Sequence, residues 1–353
     1  GTTDALFDGL APLRWCLFAE PLNLYRGNPV KLEAILANED ALLPGAYPVR
    51  LQVFDPNNQI IWSGLTNVVI RNRRTESEPP LALPVFADDV VINGPAGKYR
   101  FVAALERGGA PAGGEAEFYV GDLATMQRVD AEVVLWGSGA ELSHWLETHG
   151  IRTRAFSSAE PTAREVILAA KEPQGAGDSA AWSELARRVA RGATAVFLSP
   201  EVFRKGRDKS GWLPLANKGS LNTIQGWLYL KDEWARQHAI FEGLPAGGLM
   251  DYTFYRELIP DAVWSGQDPP DEAVAGAIRT SQDYSAGLMV AVYKLGAGRF
   301  ILNTLRLREN LGSHPAADRL LNNLLRFAAR DVNQPLANLP ADFEAQLKAI
   351  GYK

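Results

Sequence analysis

A glycine turn flanked by apolar runs, VYKLGAGRFILNTLRL at 292–307, has the composition of a phosphate cradle. Such a cradle needs a strand, a glycine turn and then a helix whose N-terminus meets the anion. Here LGAGR runs into FILNTL, which is rich in β-branched and aromatic residues and offers no capping side chain. The Walker lysine and serine are also missing, so a strand-turn-strand hairpin is expected, with glycine supplying positive φ. Ser199 is a second candidate, at the end of ATAVFLS and followed by Pro200 and Glu201. An acyl-transfer nucleophile sits on a sharp strand-to-helix turn between glycines. Those glycines are absent and Pro200 removes an N–H that an oxyanion hole would use, so Ser199 reads as a turn former.

The four histidines are His144, His149, His238 and His314. His144 and His149 stand five apart, off the i, i+4 spacing that places two ligands on one helix face, and no cysteine or carboxylate completes a zinc pattern. His314 precedes Pro315 and is placed to cap a helix. Neither a metal nor a cofactor is expected. Asn38-Glu39 matches the acid/base dipeptide of many retaining glycosidases, but that chemistry needs two carboxylates about 5 Å apart in a rigid cleft. Glu39 instead ends a strand pattern, in ANEDALLPG, and reads as a solvated strand end. Aromatic residues crowd the irregular segment 201–270: Trp212, Trp227, Tyr229, Trp234, Tyr252, Tyr255 and Trp264. Rings with interspersed Asp and Asn suit sugar stacking, and Trp212, Trp227, Tyr229, Asp251, Tyr252 and Tyr255 form the candidate carbohydrate site. The alternative is that the rings fill a core. A third alternative is a hydrolase using Asp251, Glu257 or Glu309 in a cleft at the strand ends.

The elements that must position these groups follow two grammars. Residues 1–121 read as short strands: LRWCLFAE, VKLEAILANE, VRLQVFD, IIWSG, KYRFVAALE and EAEFYV, with turns such as PNNQ between them. Alternation in these runs, with Leu32, Ala34, Leu36, Leu51 and Val53 inward, predicts an antiparallel sandwich of immunoglobulin-like type. GDLATMQRVD supplies a linker over 122–130. From 131 to 331, strands (AEVVLWG, REVILAA, ATAVFLS) alternate with helices (GAELSHWLETHG, then SAAWSELARRVARG with Asp178 as its cap). That predicts a mostly parallel α/β sheet covered on both faces. AVAGAIRTS and GLMVAVYKL are further strands, HPAADRLLNNLLRFAAR is a closing helix with Leu320, Leu321, Leu324, Phe327 and Ala328 inward, and 332–353 reads as a tail.

Bulk properties agree with two globular domains. The chain has 353 residues, 46% hydrophobic and 22% charged, with a net charge of −5. That balance gives no reason to expect nucleic acid, and RKGRDKSG at 204–211 reads as a solvated loop. The single cysteine, Cys16, lies in a strand run and is expected to be inert. No membrane span or signal peptide is expected. Gly1 in place of methionine is expected to be a cleavage scar, making the chain a piece of something larger.

Two sets of residues carry a family resemblance. The stretch LRWCLFAEPLNLYRGNPVKLEAILANEDALLPGAYPVRLQVF resembles the immunoglobulin-like module that follows the catalytic barrel in some bacterial family 2 glycoside hydrolases. HAIFEGLP at 238–245, with KLGAGRFILNT, resembles class I glutamine-amidotransferase-like domains, including trehalose-utilisation-type proteins and the β-galactosidase trimerisation domain. The resemblance implies a flavodoxin-like sheet in the second domain. It also implies a catalytic barrel, carbohydrate and further copies of the chain as partners, and a soluble, periplasmic or secreted parent enzyme. Amidotransferases of that family use an elbow cysteine with a later histidine and glutamate. Ser199 stands near the elbow position, and the only cysteine lies in the other domain, so the implied role is non-catalytic.

Overall fold

In Pro29–Asn38, Val30, Leu32, Ala34 and Leu36 are fully buried while Lys31, Glu33 and Ile35 turn outward, the period-two pattern of a half-buried strand. A computed structural model describes residues 3–71, 81–137, 139–157, 159–170, 179–224, 231–280 and 284–352. Asp178, Trp227 and Tyr229 fall outside them. The chain divides into two units, Gly1–Thr125 and Met126–Lys353, a division inside the stretch read as a linker.

In the first unit Pro29–Asn38 lies between Leu13–Glu20 and Leu81–Val91 in an antiparallel three-stranded sheet. A second sheet runs in the order Asn23–Tyr25, Glu115–Gly121, Gly97–Leu105, Gly45–Phe54, Ile60–Ile70. Its first pair is parallel and the others are antiparallel. The turn at PNNQ closes as expected. Asn58 takes φ 60°, and Asp55 Oδ1 accepts the N–H groups of Asn57 and Gln59, each at 2.8 Å. Inward residues of both sheets, among them Leu32, Leu36, Leu51, Val53, Phe101 and Phe118, form one core. Tyr99 donates its buried hydroxyl to the Pro95 carbonyl at 2.7 Å, and burial pushes its phenol up to about 12. A helix at Thr3–Leu10 precedes the strands, an element the strand pattern did not announce.

Five parallel strands form the heart of the second unit, in the order Thr153–Ala155, Val133–Leu135, Val166–Ala169, Thr194–Phe197, Gly298–Asn303. Val166–Ala169 and Thr194–Phe197 are buried at every position, as strands covered on both faces must be. Beyond Gly298–Asn303 the sheet turns antiparallel, through Ser285–Leu295, Glu272–Arg279, Lys231–Ala235 and Gly248–Leu249. A side branch, Ala262–Gln267 paired with Lys218–Thr223, joins at Ser285–Leu295.

The glycine motif is the hairpin between Ser285–Leu295 and Gly298–Asn303, with Leu295 facing Gly298 across a two-residue turn. Gly296 has φ 58°. A Cβ on Gly298 would stand 2.1 Å from the Val189 carbonyl oxygen, and one on Gly296 would stand 2.6 Å from that of Ala190. The glycines therefore let the turn press against the end of helix Ser179–Ala190, which accepts the Ala297 N–H at 2.9 Å. Protein backbone takes the space beside both glycines.

Around Trp182 of that helix gathers an aromatic cluster. Its ring centroid lies 4.7 Å from Trp136, 5.7 Å from Trp212, 5.9 Å from both Phe203 and Tyr352, and 6.2 Å from Phe197. Tyr352 also donates its hydroxyl to the Trp212 carbonyl. Residues 332–353, read from sequence as a tail, enter this core: helix Phe343–Ala349 buries Phe343 and Leu347, and Ile350 and Tyr352 follow. A patternless, short C-terminal segment gives no periodic signal, so the sequence reading missed it. No helix among the described residues is long and apolar enough to cross a membrane. Trp182→Ala is expected to destabilise the chain by about 3–5 kcal/mol, read as a lower urea midpoint. An unchanged midpoint would contradict the packing described.

Candidate functional site

Open α/β sheets place ligands beyond the carboxyl ends of their strands. A cleft of about 690 Å³ lies there, between helix Ala140–Thr148, which follows Val133–Leu135, and the 308–312 turn, which follows Gly298–Asn303. Its walls carry Glu141, His144, Thr148, His149, Arg308 and Glu309. Arg308 donates to the Ala170 carbonyl at 3.1 Å, just past the end of Val166–Ala169, which sets a cation at the ends of the central strands.

Asp318, 1% exposed, holds the floor of this cleft. It accepts the Trp145 indole N–H at 2.8 Å and the Gly312 N–H at 2.9 Å, and its second oxygen lies 3.8 Å from His149 Nε2. The Trp145 and His149 rings stack at 4.0 Å. His149 Nδ1 meets the Trp145 carbonyl at 2.8 Å, and a carbonyl only accepts, so that nitrogen carries a proton. The chemistry available is binding of a polar ligand by two carboxylates, an arginine and an imidazole. Trp145 and Asp318 are 173 residues apart, and no local pattern announces their contact.

The sequence-derived candidates are distributed differently. Trp212 is 2% exposed and belongs to the Trp182 cluster. Tyr255 is 0% exposed. It donates its hydroxyl to the Pro245 carbonyl at 2.7 Å, and burial raises its phenol pKa. A ring enclosed in this way presents no face to a sugar. Asp251 caps helix Tyr252–Tyr255, accepting from Thr253 N–H at 2.9 Å and Phe254 N–H at 3.3 Å. Tyr252 is exposed. Of the three carboxylates considered for hydrolysis, Glu309 lines the strand-end cleft, Glu257 lies 4.0 Å from His314 Nε2, and Asp251 serves the cap. Glu39 pairs with Arg14 at 2.7 Å on the sandwich. Ser199 is 8% exposed with φ −147° and ψ 140°, ordinary extended backbone. His238 caps the turn at Ala239–Phe241 through Nδ1 and pairs with Glu272 at 3.0 Å through Nε2. Among the described residues no group of three or more His, Cys, Asp or Glu is gathered as a metal site.

No protein-family model matches the chain, and no curated protein matches it. Solved structures with a partial likeness include a β-galactosidase from Bacillus circulans sp. alkalophilus, 17% identical over 61% of this chain and 33% of that one, with a TM-score of 0.34. A cold-adapted β-galactosidase from Rahnella sp. R3 is 14% identical over 60% of this chain and 33% of that one, with a TM-score of 0.34. A glycosyl hydrolase family 2 member from Bacteroides cellulosilyticus DSM 14838 is 13% identical over 53% of this chain and 32% of that one, with a TM-score of 0.24. The chain thus spans about a third of the length of each of these glycoside-cleaving proteins.

His314 is the titrating group that ties this region to stability. It caps helix Pro315–Ala328, accepting the Ala316 N–H at Nδ1 at 3.2 Å. Burial pulls its imidazole down to about 4, against the opposing pull of the Asp318 carboxylate. An unfolded His titrates near 6.5, so between that value and about 4 the unfolded chain binds the extra proton. Stability is complete above 6.5 and falls with pH, by roughly 3 kcal/mol at pH 4 from this group. His314→Asn keeps a capping acceptor and removes the titration. Urea unfolding at pH 7 and pH 4.5 is expected to show a smaller acid loss in the variant; an equal loss in both proteins would contradict the assignment.

Proposed function

We propose that the chain is a non-catalytic accessory region of a larger carbohydrate-active enzyme, in which an immunoglobulin-like sandwich is followed by a flavodoxin-like, amidotransferase-related α/β domain. The parallel strand order places the first strand between the second and third, which supports a flavodoxin-like reading. The Tyr99 hydroxyl bond to a carbonyl four residues upstream has the form of the tyrosine corner of immunoglobulin-like sandwiches. Both support the resemblance read in the sequence.

One observation carries the non-catalytic part. At the turn nearest the elbow of the resembled family, Ser199 is buried in unstrained extended backbone ahead of Pro200, where an elbow nucleophile would be exposed on a sharp turn. The region's work on this reading is packing against a catalytic barrel, assembly with further copies, or lining a sugar cleft. The chain alone is expected to show no turnover of 4-nitrophenyl β-galactoside, 4-nitrophenyl β-glucuronide or glutamine above the buffer rate. Turnover abolished by Ser199→Ala or Glu309→Gln would overturn the proposal.

A further inference from the structure

One row of residues runs straight across four strands of the antiparallel extension. Trp234 is paired with Gly276, Gly276 with Leu288, and Leu288 with Trp264. Directly opposed residues project to the same face of a sheet, so these side chains share one surface. Gly276 shapes it. A Cβ there would stand 2.7 Å from Trp234 Cζ2 and 3.0 Å from Cε2, so the indole lies over the glycine, against the sheet. The row two residues along adds Ile278 and Ala286 to the same floor.

Above this floor is a groove of about 310 Å³, at the lower end of the roughly 300–1,000 Å³ usual for small-molecule sites. Tyr284, 72% exposed, stands beside it, and Ser265, Gln267 and Asp268 supply its polar rim. The Asp268 carboxylate is steadied by the Asn217 N–H at 3.0 Å, and its carbonyl accepts the Tyr293 hydroxyl at 3.1 Å. Most other large aromatic rings among the described residues of this unit are enclosed, whereas Trp234 is half-buried and Tyr284 is open.

We infer that this groove is a binding subsite for a neutral pyranose, with Trp234 as the stacking platform and Tyr284 as its side wall. The inference rests on the carbohydrate reading proposed above and names the place where sugar is held. A pyranose presents a patch of C–H bonds on its face and hydroxyls around its edge, which matches an aromatic floor with a polar rim. Among the described lining residues Asp268 is the one charged side chain, and a carboxylate disfavours phosphate and other anions. The Arg236 guanidinium lies over the Trp234 ring, 6.0 Å from its centroid, and is not among the residues that line the groove. An extended peptide gains affinity by pairing with a strand edge, and this groove lies on a sheet face.

The test is calorimetric and NMR titration of the whole chain with β-1,4-galactobiose, cellobiose, xylobiose and maltose, with glucuronic acid as the charged control. Millimolar binding of at least one neutral disaccharide is expected, with sugar ring protons receiving saturation from aromatic side chains. Trp234→Ala is expected to weaken it at least about tenfold and Tyr284→Ala about threefold. Tyr284 is exposed enough that its variant keeps its thermal midpoint, so the second variant stands even if the first unfolds. Wild-type chain that binds none of the four disaccharides, that prefers glucuronic acid, or whose affinity survives Tyr284→Ala and a folded Trp234→Ala would overturn the inference. Turnover measurements are read separately, so failure of the groove and failure of the non-catalytic reading give different results.

Discussion

Trp182 holds the second unit together. Its indole meets five other described rings, contributed by the loop after the first parallel strand, the strand Thr194–Phe197, the irregular segment and Tyr352 after the last helix. Aromatic pairs of this kind add about 0.5–1.5 kcal/mol each beyond their buried area. They also settle which aromatic side chains remain available. Trp212 and Trp264 belong to the same core cluster, so the irregular segment is anchored through two of the rings that its composition offered for binding.

What is left open follows from the sheet. The parallel strands are sealed by helices, and the hairpin at Gly296 and Gly298 lodges against the end of one of them. The antiparallel extension beyond has a face on which a glycine, Gly276, gives Trp234 room to lie flat. Two concave places among the described residues differ in chemistry. The strand-end cleft is ringed by charge and floored by the Trp145–His149–Asp318 arrangement. The groove at Trp234 is apolar beneath and polar at its edge.

Much of this architecture was legible from pattern alone. Alternation in 30–38 and 49–55, the continuous apolar runs of the parallel strands, the His314 cap and the hairpin at LGAGR all express local rules of period, capping and turn chemistry. The site was less legible because it is built from long-range contacts. Asp318 reaches Trp145 across most of the second unit, and Trp234 meets Gly276 only through strand register. Composition showed aromatic density but not which rings would be enclosed, so Trp212 and Tyr255 stood beside Tyr252 in the sequence reading although only Tyr252 is exposed. Residues 332–353 carried no periodicity strong enough to reveal that Phe343, Leu347 and Tyr352 complete a core.

The central claim is that the second unit holds sugar without cleaving it. A crystal of the whole chain soaked with an aryl β-galactoside tests that directly. The account predicts an intact glycoside with its ring face over Trp234. A cleaved product, or a covalent adduct joining the anomeric carbon to Ser199 or to Glu309, would contradict it.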